Sequence, residues 1–515
     1  MSIRSDVQGV PGQTEQPIRK PPEDSGWWTD LIIVVALLGA FIAVHVAIPG
    51  TVPSGTDPGG WLAMAKERFG LEVLAARDAT YLPGVPMLLG LLLTVTDSVL
   101  AITIAGVISK VALVLAVYLV VRPVGRSYAA AAALIVGMSG AHGEMYAWGG
   151  FIQQLGTALG LVAVFYLVRY LESRRPLHLA LSAIASALTL FTHNLIGGLM
   201  VGALVLASIH WLYLRKASRR DWIKGLLDAA TVALPAAVFA GIYLLQWRDA
   251  GRQTSLNPTD LTWLESLEHM INEATIPWIV VAALAAGLCL SRRWSGPHAI
   301  TVAVGGSWVA TSLVFFLAIG EPRALLLTQM GLVMIAVAGF AELLRVAADR
   351  NVYARDALRV LGGVLCFAIV AGGYADYDAA TDWYRVVDHQ EIAALDELVA
   401  VSNPGDLVVA SAGHHDNQVG WWVQGYAERP TYPGGNVDFL ASPQERAQGA
   451  AANLVFEEPV DTARVTALLE QIGARFVVVD RRGPSVGWLE SEFARSLTVV
   501  DDRSYLVILE LLETG

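Results

Sequence analysis

Between Trp27 and Tyr374 the chain returns repeatedly to apolar runs of about 16–23 residues, separated by short polar gaps. A helix of that length covers the roughly 30 Å of a bilayer's hydrocarbon core, where backbone polar groups must be bonded internally. The hydrophobic share of 55% against 16% charged is far from that of an ordinary soluble domain. The pattern predicts a polytopic α-helical membrane protein with about eleven spans, at 27–49, 100–121, 127–140, 150–171, 177–192, 196–215, 227–246, 276–291, 298–318, 324–345 and 358–376. Residues 1–26 lack a signal peptide's basic start and cleavage site and read as a disordered cytoplasmic tail. Cys289 and Cys366 both fall inside expected spans, which leaves no disulfide framework outside the membrane. A net charge of −11 argues against a nucleic-acid partner.

Orientation follows from the basic residues. Arg19/Lys20, Arg122/Arg126, Arg174/Arg175, Arg215 to Lys224, Arg292/Arg293 and Arg345 to Arg359 occupy every second gap, which the positive-inside rule makes cytoplasmic. Asp57, His142, His193, Glu321 and the C-terminal region are then external at the cell membrane. The alternation requires that Tyr81–Thr96, opened by Pro83, Gly84 and Pro86, lies along the membrane as a juxtamembrane helix. From about Asp378 the composition becomes that of a soluble domain. A helix at Asp388–Ala400, strands at 406–411, 475–480, 497–500 and 504–511, and helices starting at Pro443 and Asp461 predict a small external α/β domain over 377–515. Residues 27–376 form the transmembrane domain of this scheme.

The residues able to do chemistry gather in the external gaps. Asp57, in the turn TVPSGTDPGG, stands where a carboxylate can meet a lipid-borne and a water-borne substrate; the same Asp before Pro58 could simply cap a helix. His142 and Glu144, in AHGEMYAWGG, could ligate a divalent cation such as Mg²⁺ or Mn²⁺, or make a polar interhelical contact. His193, in FTHNLIG, is a phosphate or packing residue. Arg323, in IGEPRALLL, offers a planar fork suited to phosphate, or a partner for Glu321. Lys66 and Arg77 could steer an anionic headgroup or anchor at the interface. Glu265, Glu268 and His269 read as a solvated helix face. In the C-terminal region Trp421, Trp422, Tyr426 and Arg429 could form an acceptor-binding aromatic surface or fill a core. No P-loop, GxSxG, HExxH or CxxC occurs.

The first-loop acid in TDPGGWLAMAKE, the following helix opened by TYLPG, and the many spans resemble the GT-C superfamily of integral-membrane glycosyltransferases. HGE and GWWVQG stand where oligosaccharyltransferase catalytic subunits carry an acidic pair and Trp-Trp-Asp. The chain departs from those subunits at His142, where an acid is usual, and at Val423, where Asp would contact an acceptor peptide. The resemblance implies a polyprenyl-phosphate or polyprenyl-diphosphate sugar as donor. It implies Asp57 as catalytic acid or base, Glu144 with His142 as the second acidic motif, and Trp421 and Trp422 as the external-domain motif. The expected reaction moves a sugar to an acceptor hydroxyl on a cell-envelope glycan, lipid or protein. The rivals are a lipid-linked sugar flippase and a catalytically inactive relative acting as an assembly scaffold. A flippase would carry charges in mid-span and paired broken helices, whereas the acids here gather at one face.

Overall fold

The computed structural model describes residues 27–47, 50, 52–70, 82–215, 217–249, 297–319, 323–434 and 443–511. Thirteen helices make up the described residues up to Tyr384: α1 (Trp27–Ala47), α2 (Asp57–Arg68), α3 (Gly84–Leu93), α4 (Ser98–Val121), α5 (Arg126–Gly137), α6 (Gly140–Ala147), α7 (Phe151–Ser173), α8 (Pro176–Thr192), α9 (Asn194–Leu214), α10 (Arg219–Asp249), α11 (Pro297–Ile319), α12 (Arg323–Arg350) and α13 (Val352–Tyr384). Seven described helices are long and apolar enough to cross a bilayer, namely α4, α7 and α9 to α13. The apolar α1, α5 and α8 occupy three more of the expected spans, and the run at 276–291 lies outside the described residues.

Two expected elements change shape. The run at 127–140 is α5, of 12 residues, followed by a break and the separate eight-residue α6. At 1.5 Å per residue α5 is only about 18 Å long. The break is held by α13, where a Cβ at Gly373 would overlap the Met138 carbonyl, so the two backbones touch. The last span runs on unbroken to Tyr384, so the boundary expected at 377 lies inside α13. The ten-residue α3, about 15 Å long, is too short to span, as its prolines predict.

The C-terminal segment carries α14 (His389–Val401), β1 (Leu407–Ala410), α15 (Gly420–Gly425), β2 (Thr431–Tyr432), α16 (Pro443–Leu454), α17 (Thr462–Ile472), β3 (Ala474–Asp480), β4 (Thr498–Asp501) and β5 (Leu506–Glu510). The strands form one sheet in the order β2-β1-β3-β5-β4. β1 is parallel to β2 and β3, whereas β5 runs antiparallel to β3 and β4. Strand alternation sends Phe476 and Val478 to one face of β3 and Val477 and Val479 to the other. The first face shares a core with Trp61 and Leu62 of α2, Val85 and Leu89 of α3, Ile102 of α4, and Tyr146 and Phe151. α2 and α3 are thus packed between the bundle and the sheet.

Candidate active site

Asp57 is the first residue of α2, and Thr56 before it makes no side-chain capping bond. The carboxylate therefore sits in the first turn, where the helix dipole favours it, and not at the cap position that Pro58 suggested. The turn holding it is built by long-range bonds. Ser54 Oγ donates to the Ala147 carbonyl at 2.9 Å, and Trp61 Nε1 to the Gly149 carbonyl at 2.9 Å. Trp422 Nε1 donates to the Gly55 carbonyl at 2.8 Å, and the Val386 amide to the Ser54 carbonyl at 2.8 Å. Gly149 has φ of +96°, and a Cβ there would strike Pro58 and lie 2.9 Å from the Asp57 Cβ. The second loop therefore presses directly on Asp57.

Glu144 and Trp148 are four residues apart and share a face at the end of α6. Both meet Tyr384: its hydroxyl donates to Glu144 Oε1 at 3.1 Å, and its ring packs edge-on against Trp148 at 6.1 Å. Since Trp148 adjoins Gly149, the Asp57 and Glu144 backbones belong to one seam. His142 does not join them. On a helix, side chains two residues apart point about 200° away from each other. His142 is 1% exposed, with neither ring nitrogen hydrogen-bonded among the described residues, while Glu144 is partly open. The two residues expected to share a metal ion therefore point to different sides of α6 in this structure. Among the described residues no group of three or more His, Cys, Asp or Glu is placed to hold a metal.

A second junction forms at the start of α9. His193 accepts from the Ile196 amide at the start of α9 at 3.4 Å, and Arg323, opening α12, lies within electrostatic reach of it. Gly84, from the TYLPG motif, packs on the same turn, its Cβ position 2.8 Å from the Phe191 carbonyl oxygen. The candidate phosphate residues His193 and Arg323 are therefore brought together next to the start of α3.

Several expected site residues have other work. Lys66 is 4% exposed and pairs with Glu428 at 2.5 Å, tying α2 to the C-terminal segment, so it does not reach a headgroup. Arg77, Glu321, Glu265, Glu268 and His269 lie outside the described residues. Trp421 and Trp422 are buried in the short α15 against Gly59, whose Cβ position is 2.6 Å from the Trp421 carbonyl. They form a seam between the sheet and the first loop and offer no open aromatic surface. Arg429, 5% exposed, donates to the carbonyls of Ala427, Glu428, Val399 and Ser402. Tyr426 donates to Asp396 at 2.9 Å; burial, then that bond, push its phenol above the usual range. Trp421, Trp422 and Arg429 are thus turned inward, and of the four residues expected at an acceptor only the half-buried Tyr426 keeps a surface position. Trp422→Phe should remove one buried bond, lowering stability by about 1 kcal/mol in a melting experiment while leaving the acceptor KM unchanged. A rise in that KM alone would restore a contact with the acceptor.

Tyr384 and the pressing glycine Gly149 escaped the sequence reading. The Trp-Gly-Gly turn was a visible sign for Gly149, whereas nothing local marked Tyr384.

No family model matches the chain, and no curated protein does either. Solved structures do. ArnT from Cupriavidus metallidurans bound to undecaprenyl phosphate is 15% identical, with a TM-score of 0.56 over 95% of this chain and 99% of that one. Its apo state is 13% identical, with a TM-score of 0.55 over 94% and 98%. The arabinofuranosyltransferase AftD from Mycobacteria is 16% identical, with a TM-score of 0.54 over 89% of this chain and 37% of that one. At these identities the likeness shows a shared fold alone.

Proposed function

We propose that the chain is an integral-membrane glycosyltransferase that moves a sugar from a polyprenyl-phosphate or -diphosphate carrier to an acceptor hydroxyl on a cell-envelope glycan, lipid or protein. The observation that carries this reading is the position of Asp57, set where α2, the α6–α7 turn and α15 meet, in a fold shared with a protein crystallised with undecaprenyl phosphate. In the proposed reaction Asp57 accepts the proton of the acceptor hydroxyl as its oxygen attacks the anomeric carbon. The bond from that carbon to the carrier phosphate breaks, and the electron pair leaves on the phosphate oxygen. Arg323, with His193 beside it, offsets that developing charge. A single displacement of this kind inverts the anomeric centre. A Mg²⁺ or Mn²⁺ ion would offset the same charge, drawing on carboxylate oxygens such as those of Asp57 or Glu144 and not on His142.

The site side is proposed to face outward. Helices α4 and α7 start beside the site and end at Arg122 and Arg174, which pair with Asp30 and Asp228 at the far end of the bundle.

The test is transfer by the purified protein in detergent, supplied with polyprenyl-phosphate sugars and scored by release of the free carrier. Movement of the lipid-linked sugar across liposomes without any transfer would instead indicate a flippase. Arg323→Lys should keep the charge but lose the two-pronged grip on phosphate. It is expected to raise the donor KM several-fold, with Arg323→Ala worse, and to leave the acceptor KM alone. An unchanged donor KM in Arg323→Ala would remove this residue from the phosphate end.

A further inference from the structure

Midway along α4, inside the helical bundle, lies Lys110, 1% exposed. Its Nζ donates to the His142 carbonyl at 3.0 Å, and Gln154 Nε2 donates to the same oxygen at 2.8 Å. The Tyr377 ring centroid is 6.0 Å from Nζ. Neither partner is an anion, and among the described residues no carboxylate pairs with this lysine. The residues that meet at this carbonyl carry further buried polar atoms with no described partner, both ring nitrogens of His142 and Oε1 of Gln154, and so do their neighbours along α7, Gln153 at Oε1 and Thr157 at Oγ1. Gln154 and Thr157 are three residues apart and share a face of α7. On the same helix Gly156 closes on His193, its Cβ position 3.2 Å from the His193 Cβ. The cluster therefore adjoins the phosphate junction along α7.

A buried charge without a counter-charge, and several unbonded polar atoms in a membrane bundle, are costly, and such groups persist where a ligand uses them. The chemistry of the cluster is specific. Lys110 and one nitrogen of a neutral His142 are donors that call for an anion. The amide oxygens of Gln153 and Gln154 are acceptors that call for a donor on the same ligand. A singly protonated phosphate supplies both, with acceptor oxygens and one P–OH.

We propose that Lys110, His142, Gln154 and Thr157 form a second phosphate subsite inside the bundle, separate from Arg323. This inference rests on the carrier-phosphate reading above, and the phosphate belongs either to the lipid carrier or to free phosphate. The probes are farnesyl phosphate, inorganic phosphate and farnesol, added to the full-length protein in detergent while its melting temperature is followed. Wild type should be stabilised saturably by farnesyl phosphate and not by farnesol. Lys110→Met should weaken that binding at least tenfold. It should also melt no lower than wild type without ligand, because a lone buried charge has been removed. Thr157→Val, which leaves the charge in place, should weaken binding several-fold and serves if Lys110→Met fails to fold. Equal binding by wild type and both variants would overturn the subsite while leaving the carrier reading intact. Binding of inorganic phosphate alone, lost in Lys110→Met, would support the subsite and remove the lipid carrier as its source. A shift as large with farnesol, or none with either phosphate, would overturn the subsite.

Discussion

Asp57→Asn is expected to lower transfer by 10²–10⁴-fold, the range seen when a general base is lost. Asn keeps the shape and the hydrogen-bonding reach of the side chain but cannot take the acceptor proton. The folded state should scarcely notice. Asp57 sits in the first turn of α2, where exchanging its charge forfeits a dipole interaction of about 0.3–1 kcal/mol. The turn itself is held by the Ser54, Trp61 and Trp422 side chains. Membrane yield and melting temperature should therefore stay near wild type while carrier release falls toward background. An Asp57→Asn protein that retains more than a tenth of the rate would show that the base lies elsewhere, with Glu144 the next residue to test.

Gly149→Ala should damage the same step by a different route. The backbone there has φ of +96°, a conformation an L side chain adopts only under strain, and the new methyl would run into Pro58 and the Asp57 Cβ. Strain and overpacking together should lower stability by about 2–4 kcal/mol. The larger effect is on catalysis. A displacement of about 1 Å at a reacting group can lower a rate 10²-fold, so kcat should fall by one to two orders of magnitude although every polar side chain is still present. Measuring kcat and melting temperature on one preparation settles it. If both match wild type, the second loop does not fix the position of Asp57, and the seam between the loops loses its role.

Much of the architecture could be read from periodicity alone. The spans at 100–121, 150–171 and 298–318 appear as α4, α7 and α11, because long apolar runs have one solution in a bilayer. RFVVVD and SYLVILEL became β3 and β5 through their β-branched alternation, and Asp461 caps α17 as its sequence context implies. The site was less legible because its partners are remote. Lys66 looks like any interfacial lysine until Glu428 arrives, 362 residues later. Trp421 and Trp422 look like a sugar platform until α2 covers them. β2 is two residues long, too short for any alternation to show. His142 and Glu144 appear as a pair in a loop but diverge once that loop is a helix, α6. Lys110 is legible as a charge within an apolar run, but its partner, the His142 carbonyl, lies 32 residues away.

The bond from Trp422 to Gly55 spans 367 residues, and the Val386 amide reaches back to Ser54 in the same way. During synthesis the first loop therefore leaves the ribosome long before the segment that closes over it exists. Contacts of such sequence separation form late, since the entropy of closing the intervening loop must first be overcome. An unfinished or mis-inserted chain carries Asp57 but lacks the clamp that fixes its direction. The turn around Asp57 thus reaches its final geometry only after the C-terminal segment has been made and docked, so the two ends of the chain mature together.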